Sequence, residues 1–162
     1  ERCRMIKNHG RLTKYDHLFE GRNSRLDGIQ ASILETKLKY IDNWNDIRIK
    51  IANRYLKKLS IINEIELPKI RNNSKHVFHL FVIRTKKREL LKKFLLENSV
   101  ETGIHYPIAL PDLKAYKILN YSSNTLNAQK NSNNLLSLPI GDHMEIEDAD
   151  YVIQIIKNFF KK

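Results

Sequence analysis

The 162 residues suffice for one domain, or for one domain with a docking arm, and 41% hydrophobic with 29% charged residues exclude an intrinsically disordered chain. A formal net charge of +11 favours an anionic partner such as nucleic acid, a phosphorylated ligand or an anionic membrane. Much of the excess, however, comes from scattered lysine pairs, which are more typical of solvated faces than of a dedicated polyanion-binding surface.

Several features make the cytoplasm the expected location and argue against a membrane-spanning segment. Cys3 is the only cysteine, which excludes an internal disulfide and argues against a zinc cluster. No apolar run approaches the roughly 18 residues of a spanning helix, and no signal peptide opens the sequence. The first residue is Glu1, within what reads as the last turns of a helix ended by Gly10. We therefore expect the chain to start inside a larger protein.

A long helix is predicted after an irregular connection over residues 11–23. Ser24, followed by Asp27 three residues later, forms a pattern typical of a helix N-cap. Apolar side chains then recur every three or four residues as far as Leu59. We predict one helix over residues 25–59, roughly 50 Å long at about 1.5 Å per residue, which would span between two domains.

The rest of the chain predicts a small α+β domain. β-Branched and aromatic residues in "HVFHLFVIRT" indicate a strand, "KRELLKKFLLENSV" an amphipathic helix, and "ETGIHYP" a second strand ended by Pro107. A short helix around Asp112 to Leu119, a weak helix in "NAQKNSNNLLSL" and a third strand in "LSLPI" are expected before the C-terminal helix "EIEDADYVIQIIKNFF". The predicted domains are the end of a large domain with a connection (1–24), the interdomain helix (25–59) and a small C-terminal domain (60–162).

The start of the long helix is the strongest candidate for a ligand site. Asn23 lies between Arg22 and Arg25, where free amide groups and the positive end of a helix dipole would coincide with two guanidinium groups. Asn23 can donate its side-chain amide to a phosphate oxygen. The alternative is that Asn23 and Ser24 only cap the helix while both arginines face solvent.

The second candidate is "ETGIHYPIALP", which contains His105 and Tyr106. Neighbouring residues on a strand point to opposite faces, so one of the two would be structural unless the strand already ends at Pro107. Without further information, a lone histidine is more simply satisfied within its own fold. His76 and His79 would also face opposite ways on a strand, which argues against a shared metal ion.

The motifs together resemble the C-terminal half of the pyridoxal-phosphate-dependent nucleotide-sugar aminotransferases, the DegT/DnrJ/EryC1/StrS family. The stretches that carry this resemblance occur in the family's order, from about Arg4 to Phe160: "GRNSRLDGIQASIL", "LKYIDNWNDIRIKIANRYLKKL", "HVFHLFVIRT", "ETGIHYPIALP" and "LLSLPI". The resemblance implies the small domain of a fold-type I, aspartate-aminotransferase-like enzyme. It also implies a homodimer with active sites at the subunit interface and no nucleic-acid or membrane partner.

The resemblance further implies roles for four residues. Asn23 would reach the phosphate of the pyridoxal 5'-phosphate bound to the partner subunit, and Arg25, His105 and Tyr106 would contact the nucleotide-linked sugar. The implied reaction is amination of a 3-keto sugar with glutamate as donor. The Schiff-base lysine belongs to the family's N-terminal domain, so the resemblance predicts no catalytic residue here, and an isolated chain should be inactive.

The sequence also leaves alternatives open. Where many family members read roughly Asp-Phe-Pro-Val-Ala-Glu, this chain has Asn124 to Gln129. Some relatives are sugar dehydratases, and a non-catalytic relative that pairs with a complete subunit is a further alternative. Outside the family, the alternative is a basic α+β module that binds nucleic acid or another polyanion, whose affinity would fall steeply as salt rises.

Overall fold

The structure is a computed structural model that describes residues 1–117 and 127–161. The chain forms two compact units, Glu1–Ile41 and Asp42–Lys162. The predicted domain boundaries after residues 24 and 59 stay predictions. The end of the predicted short helix at Leu119 lies outside the described residues. So do Asn124 to Leu126, the first part of the segment that departs from the family pattern.

The first unit consists of two helices joined by a connection that folds back on the first helix. Helix α1 covers Arg2–Ile6, and Gly10 follows it with a positive φ of 71°, a conformation that glycine adopts without steric cost. Helix α2 covers Gly28–Leu38 and buries none of its residues. Four of its large apolar side chains are exposed: Ile29, Ile33, Leu34 and Leu38.

The predicted single helix over residues 25–59 is two helices in the structure. Helix α2 ends at Leu38, helix α3 covers Ile41–Leu59, and the Tyr40 amide donates to the Lys37 carbonyl in a tight turn between them. The prediction was wrong because a spacing of three or four apolar residues is equally compatible with a continuous helix and with one interrupted by a short turn.

The second unit contains a small sheet with helices packed against it. Strand β1 (Phe81–Arg84) pairs antiparallel with strand β2 (Leu135–Leu138), and Phe81 lies opposite Leu138. Single bridges extend the sheet on both sides, from Arg84 to Glu66 and from Ser137 to Gly103. The remaining elements are α4 (Arg88–Glu97), a 3₁₀ turn (Leu110–Asp112), α5 (Lys114–Lys117), α6 (Asn127–Asn131) and α7 (Ile146–Phe160).

The core of this unit comes from α3, the two strands, α4 and α7. Leu95 of α4 and Ile156 of α7 are completely buried, and the two helices pack against each other. Tyr55 of α3 is buried against Phe81, with ring centroids 5.0 Å apart, and its hydroxyl donates to the Pro139 carbonyl at 2.9 Å. Burial raises the pKa of Tyr55, so this hydroxyl keeps its proton and its role as a donor.

A bidentate ion pair between Arg54 and Asp150 joins α3 to α7. Arg54 Nε donates to Asp150 Oδ1 at 2.6 Å, and Arg54 Nη2 donates to Asp150 Oδ2 at 2.7 Å. These hydrogen bonds are the main reason that the pKa of Asp150 is lowered, and Lys58 and Lys157 lower it further. Because the folded-state pKa lies below the unfolded one, the pair stabilises the fold above the unfolded value of about 3.9.

We expect Asp150→Asn to lower the melting temperature at neutral pH. The difference from the unmodified protein should shrink as the pH falls from about 4 through the lower pKa of the folded-state carboxylate, because Asp150 then becomes protonated in the folded protein. Asp46→Asn is the matched control, since the Asp46–Lys75 pair is mostly exposed at both ends and contributes little. Thermal unfolding of the three proteins across this pH range tests the pair, and a pH-independent difference for Asp150→Asn would contradict it.

Candidate functional site

Asn23 lies in a short extended segment that pairs with the end of α1. The His9 amide donates to the Arg22 carbonyl at 3.0 Å, and the Ser24 amide donates to the Lys7 carbonyl at 2.8 Å. Asn23 itself forms an antiparallel β-bridge with Asn8 and is exposed to solvent. The backbone around Asn23 is therefore fixed while its side chain remains accessible to a ligand.

The predicted helix cap is wrong. Ser24 is not the N-cap of α2 because it lies four residues before Gly28, where the helix begins, and its amide instead donates to the Lys7 carbonyl. The helix begins at Gly28 with Asp27 as N-cap, and the Asp27 amide donates to Gln30 Oε1 at 3.3 Å in a capping box. Asn23 therefore lies a full turn before the helix and does not cap it.

A cavity of about 430 Å³, rich in positive charge, is lined by Asn8, to which Asn23 is bridged, and by Ser24, although Asn23 itself does not line it. It is lined by Arg4, Lys7, Asn8, Ser24, Arg25 and Leu26. Three of these side chains are cationic, and the lining contains no acid. Guanidinium and ammonium groups combined with amide and hydroxyl donors are the set that binds phosphate in proteins.

Two of these cationic residues, Arg4 and Lys7, were not among the site residues predicted from the sequence. Arg4 and Lys7 are three positions apart at the end of α1, so they share one side of it. That spacing was a usable signal, but only the backbone pairing of residues 22–24 with residues 6–9 shows that Arg25 joins them.

His105 and Tyr106 lie side by side rather than on opposite faces of a strand. The predicted strand "ETGIHYP" is reduced to one bridge, because Gly103 pairs with Ser137 through both its amide and its carbonyl and the chain then leaves the sheet. The two rings meet edge to face with centroids 5.6 Å apart. His105 is half-buried, whereas Tyr106 is 73% exposed.

Both rings line a cavity of about 580 Å³ in the second unit. The other lining residues are Pro107, Ile108, Ala109, Leu110, Leu113, Ala128 and Leu135. A mostly apolar wall with a few polar groups is typical of a pocket for a small organic ligand. Leu113 and Leu135 were not among the sequence candidates, since they join this pocket only through the tertiary fold.

His105 is hydrogen-bonded to Ser137, which was not among the residues predicted from the sequence. Ser137 of β2 is 4% exposed, and its Oγ lies 2.8 Å from His105 Nδ1. The only sequence signal for Ser137 was a serine within an apolar strand.

The predicted site residues are divided between the two units. Asn23 and Arg25 belong to the first unit, and His105 and Tyr106 belong to the second.

Neither a metal centre nor a membrane-spanning helix is found in the described part of the chain. The residues described include no group of three or more His, Cys, Asp or Glu side chains that could hold an ion. His76 Nδ1 instead accepts a hydrogen bond from the Phe78 amide at 2.9 Å. Among the described helices, none has the length and apolar character needed to cross a bilayer.

The family of the chain follows from a comparison with known protein families. Residues 1–157 match the DegT/DnrJ/EryC1/StrS aminotransferase family. The chain belongs to this family. The predicted resemblance is thereby confirmed, and the alternative of an unrelated polyanion-binding module loses its support.

The curated relatives of this DegT-family chain include sugar transaminases. A dTDP-3-amino-3,6-dideoxy-alpha-D-galactopyranose transaminase from Aneurinibacillus thermoaerophilus is 39% identical over 160 residues, 98% of this chain and 43% of that protein. A dTDP-3-amino-3,4,6-trideoxy-alpha-D-glucose transaminase from Streptomyces venezuelae is 36% identical and is covered over 43% of its length. The chain thus spans less than half of the curated relatives it matches.

Solved structures of the family have the same fold. DesV of S. venezuelae superposes with a TM-score of 0.88 at 34% identity, over 99% of this chain and 44% of DesV. An NtdA structure from Bacillus subtilis with bound cofactor PMP gives a TM-score of 0.83 at 27% identity, over 99% of this chain and 39% of that one. The predicted α+β fold of a fold-type I aminotransferase segment is confirmed.

Proposed function

We propose that this DegT-family chain contributes the cofactor-phosphate and sugar contacts of a pyridoxal-phosphate-dependent aminotransferase. Its substrate is a nucleotide-linked keto sugar and its amino donor is glutamate. The observation that carries the proposal is the cationic cavity lined by Ser24 and Arg25, which follow Asn23, in a chain whose relatives include two named as transaminases of dTDP-linked sugars. The proposed location is the cytoplasm.

The residues of the first unit fit the phosphate of pyridoxal 5'-phosphate. Asn23 offers an amide donor on a fixed backbone, and Arg4, Lys7 and Arg25 supply compensating charge. When bound, the cofactor supplies the electron sink for transfer of the amino group. The chain's own part is to bind and orient its phosphate, because a misplaced cofactor loses the alignment that the reaction needs.

The second cavity is the proposed contact with the sugar. His105 and Tyr106 present a ring nitrogen and a hydroxyl that can bind sugar oxygens, and the neighbouring apolar wall excludes water from the less polar faces of the ring. Arg25 is proposed to contact the sugar nucleotide as well, because its guanidinium is the donor best matched to phosphate or carboxylate oxygens.

The proposed assembly is a homodimer in which Asn23 serves the cofactor of the partner subunit. The four large apolar side chains exposed on α2 support an assembly in the first unit, since contiguous exposed apolar surface commonly marks an interface. Sedimentation of the full-length protein tests the dimer directly.

The proposed function predicts separate effects of changes in the two cavities of the full-length protein. Asn23→Ala should weaken apparent affinity for pyridoxal phosphate by roughly tenfold to a hundredfold, because it removes a hydrogen bond to a charged group. His105→Ala should raise the KM for the nucleotide sugar and leave cofactor affinity unchanged. Cofactor titration and steady-state kinetics with a dTDP-linked 3-keto sugar and glutamate measure both effects.

Asn53→Ala is the matched control, since Asn53 is an exposed asparagine on α3. It should leave both quantities unchanged. Equal cofactor affinity in the Asn23→Ala and Asn53→Ala proteins would contradict the role of Asn23. Product formation by elimination of water without any amino transfer would instead identify a dehydratase.

A further inference from the structure

The contact between His105 and Ser137 is more than a chance hydrogen bond, because the backbone on both sides of it is fixed. The Gly103 amide donates to the Ser137 carbonyl at 3.0 Å, and the Ser137 amide donates to the Gly103 carbonyl at 2.8 Å. Ser137 also belongs to β2, where it lies opposite Val82 of β1. The serine hydroxyl is therefore placed by the sheet and not by a mobile loop.

Gly103 allows the imidazole to reach this hydroxyl. A Cβ atom at position 103 would lie 2.6 Å from His105 Cε1 and 3.2 Å from Nδ1. The ring thus rests directly on the glycine backbone, at a distance that any side chain would prevent. Gly103, His105 and Ser137 form a compact unit, which we call the His105 support.

The direction of the hydrogen bond follows from the burial of Ser137. The residue is 4% exposed, and among the described residues its hydroxyl contacts only His105 Nδ1. A buried hydroxyl hydrogen without an acceptor is costly, so the satisfied arrangement has Ser137 Oγ–H donating to Nδ1. In the neutral ring, the histidine proton must then be on Nε2.

We propose that Ser137 is a positioning residue that holds the neutral His105 ring in its Nε2–H tautomer. Nε2 has no hydrogen-bond partner within the described residues, and the ring lines the cavity proposed for the sugar. The support thus presents an N–H donor, which suits an acceptor oxygen of the sugar nucleotide and disfavours a ligand donor at that point. This inference rests on the proposed function, but its first test does not.

The test measures the His105 tautomer by ¹⁵N NMR of histidine-labelled full-length protein in alkaline buffer. The His105 signals are assigned by their loss in His105→Gln. We expect the Nε2–H form in the unmodified protein and a shift toward a mixture of tautomers in Ser137→Ala. Ser137→Thr, which keeps the hydroxyl, should restore the Nε2–H form.

Kinetics supply the second readout. Ser137→Ala should raise the KM for the nucleotide sugar by roughly two- to tenfold with kcat little changed, because one neutral hydrogen bond is lost. Ser132→Ala is the control, since Ser132 is also buried but its hydroxyl donates to the Gln129 carbonyl at 3.1 Å. It should affect neither the tautomer nor the KM.

The possible failures are distinguishable. An unchanged His105 tautomer in Ser137→Ala overturns the inference, whatever the kinetics show. An unchanged sugar KM in His105→Ala contradicts the proposed function instead, and the NMR result still decides whether Ser137 sets the tautomer.

Discussion

Replacing Gly21 with alanine is expected to unpair the segment that carries Asn23 from the end of α1. A Cβ at position 21 would overlap the backbone nitrogen of Gly10 and would lie 2.8 Å from the Ile6 carbonyl oxygen. These are backbone atoms, so no side-chain rotation relieves the overlap. The Ile6 carbonyl also accepts the Arg22 amide at 2.7 Å, and this hydrogen bond should be lost.

The expected loss of stability is large for the addition of a single methyl group. Overpacking typically destabilises a fold by about 1–3 kcal/mol, and in this protein the overlap disrupts the short backbone pairing that fixes residues 22–24. We expect the Arg22 and Ser24 amides to lose protection from hydrogen exchange. Apparent affinity for pyridoxal phosphate should fall at least as far as in Asn23→Ala.

Gly28→Ala is the matched control. No heavy atom lies within 4 Å of a Cβ at position 28, and this residue opens α2, where alanine is a better helix former than glycine. It should preserve amide protection and cofactor affinity. If Gly21→Ala behaved in the same way, the pairing between α1 and residues 22–24 would not be what positions Asn23.

Replacing Leu95 with alanine is the change with the largest expected effect on the second unit. Leu95 is completely buried in the core, on the helix that packs against α7. Removing a buried leucine side chain leaves a cavity in addition to the lost transfer free energy, and the free energy of unfolding should fall by about 2–5 kcal/mol. Chemical denaturation of the full-length protein measures the change.

The neighbouring Leu96 provides the control. It is 61% exposed on the same helix, so Leu96→Ala has the same chemistry and the same helix context without the cavity. Its effect should stay within about 0.5 kcal/mol. Similar losses from Leu95→Ala and Leu96→Ala would show that the buried face of α4 has been assigned wrongly.

The elements with strong local patterns were predicted well from the sequence. The amphipathic helices α4 and α7 and the strand β1 appear where hydrophobic periodicity placed them, although β1 is limited to Phe81–Arg84. A positive φ at Phe78, inside the predicted strand, is incompatible with a longer extended run. The break near Tyr40 was missed because no glycine or proline marks it.

The sequence by itself determined the family, through motifs in a fixed order, and with it the candidates Asn23, Arg25, His105 and Tyr106, whose roles stay predictions. Only the tertiary structure decided which residues accompany them. Arg4 and Lys7 join Arg25 because residues 22–24 pair with residues 6–9, and Ser137 reaches His105 across 32 positions of sequence. Local patterns record the period of a helix or strand, whereas such contacts depend on long-range backbone pairing that has no local signature.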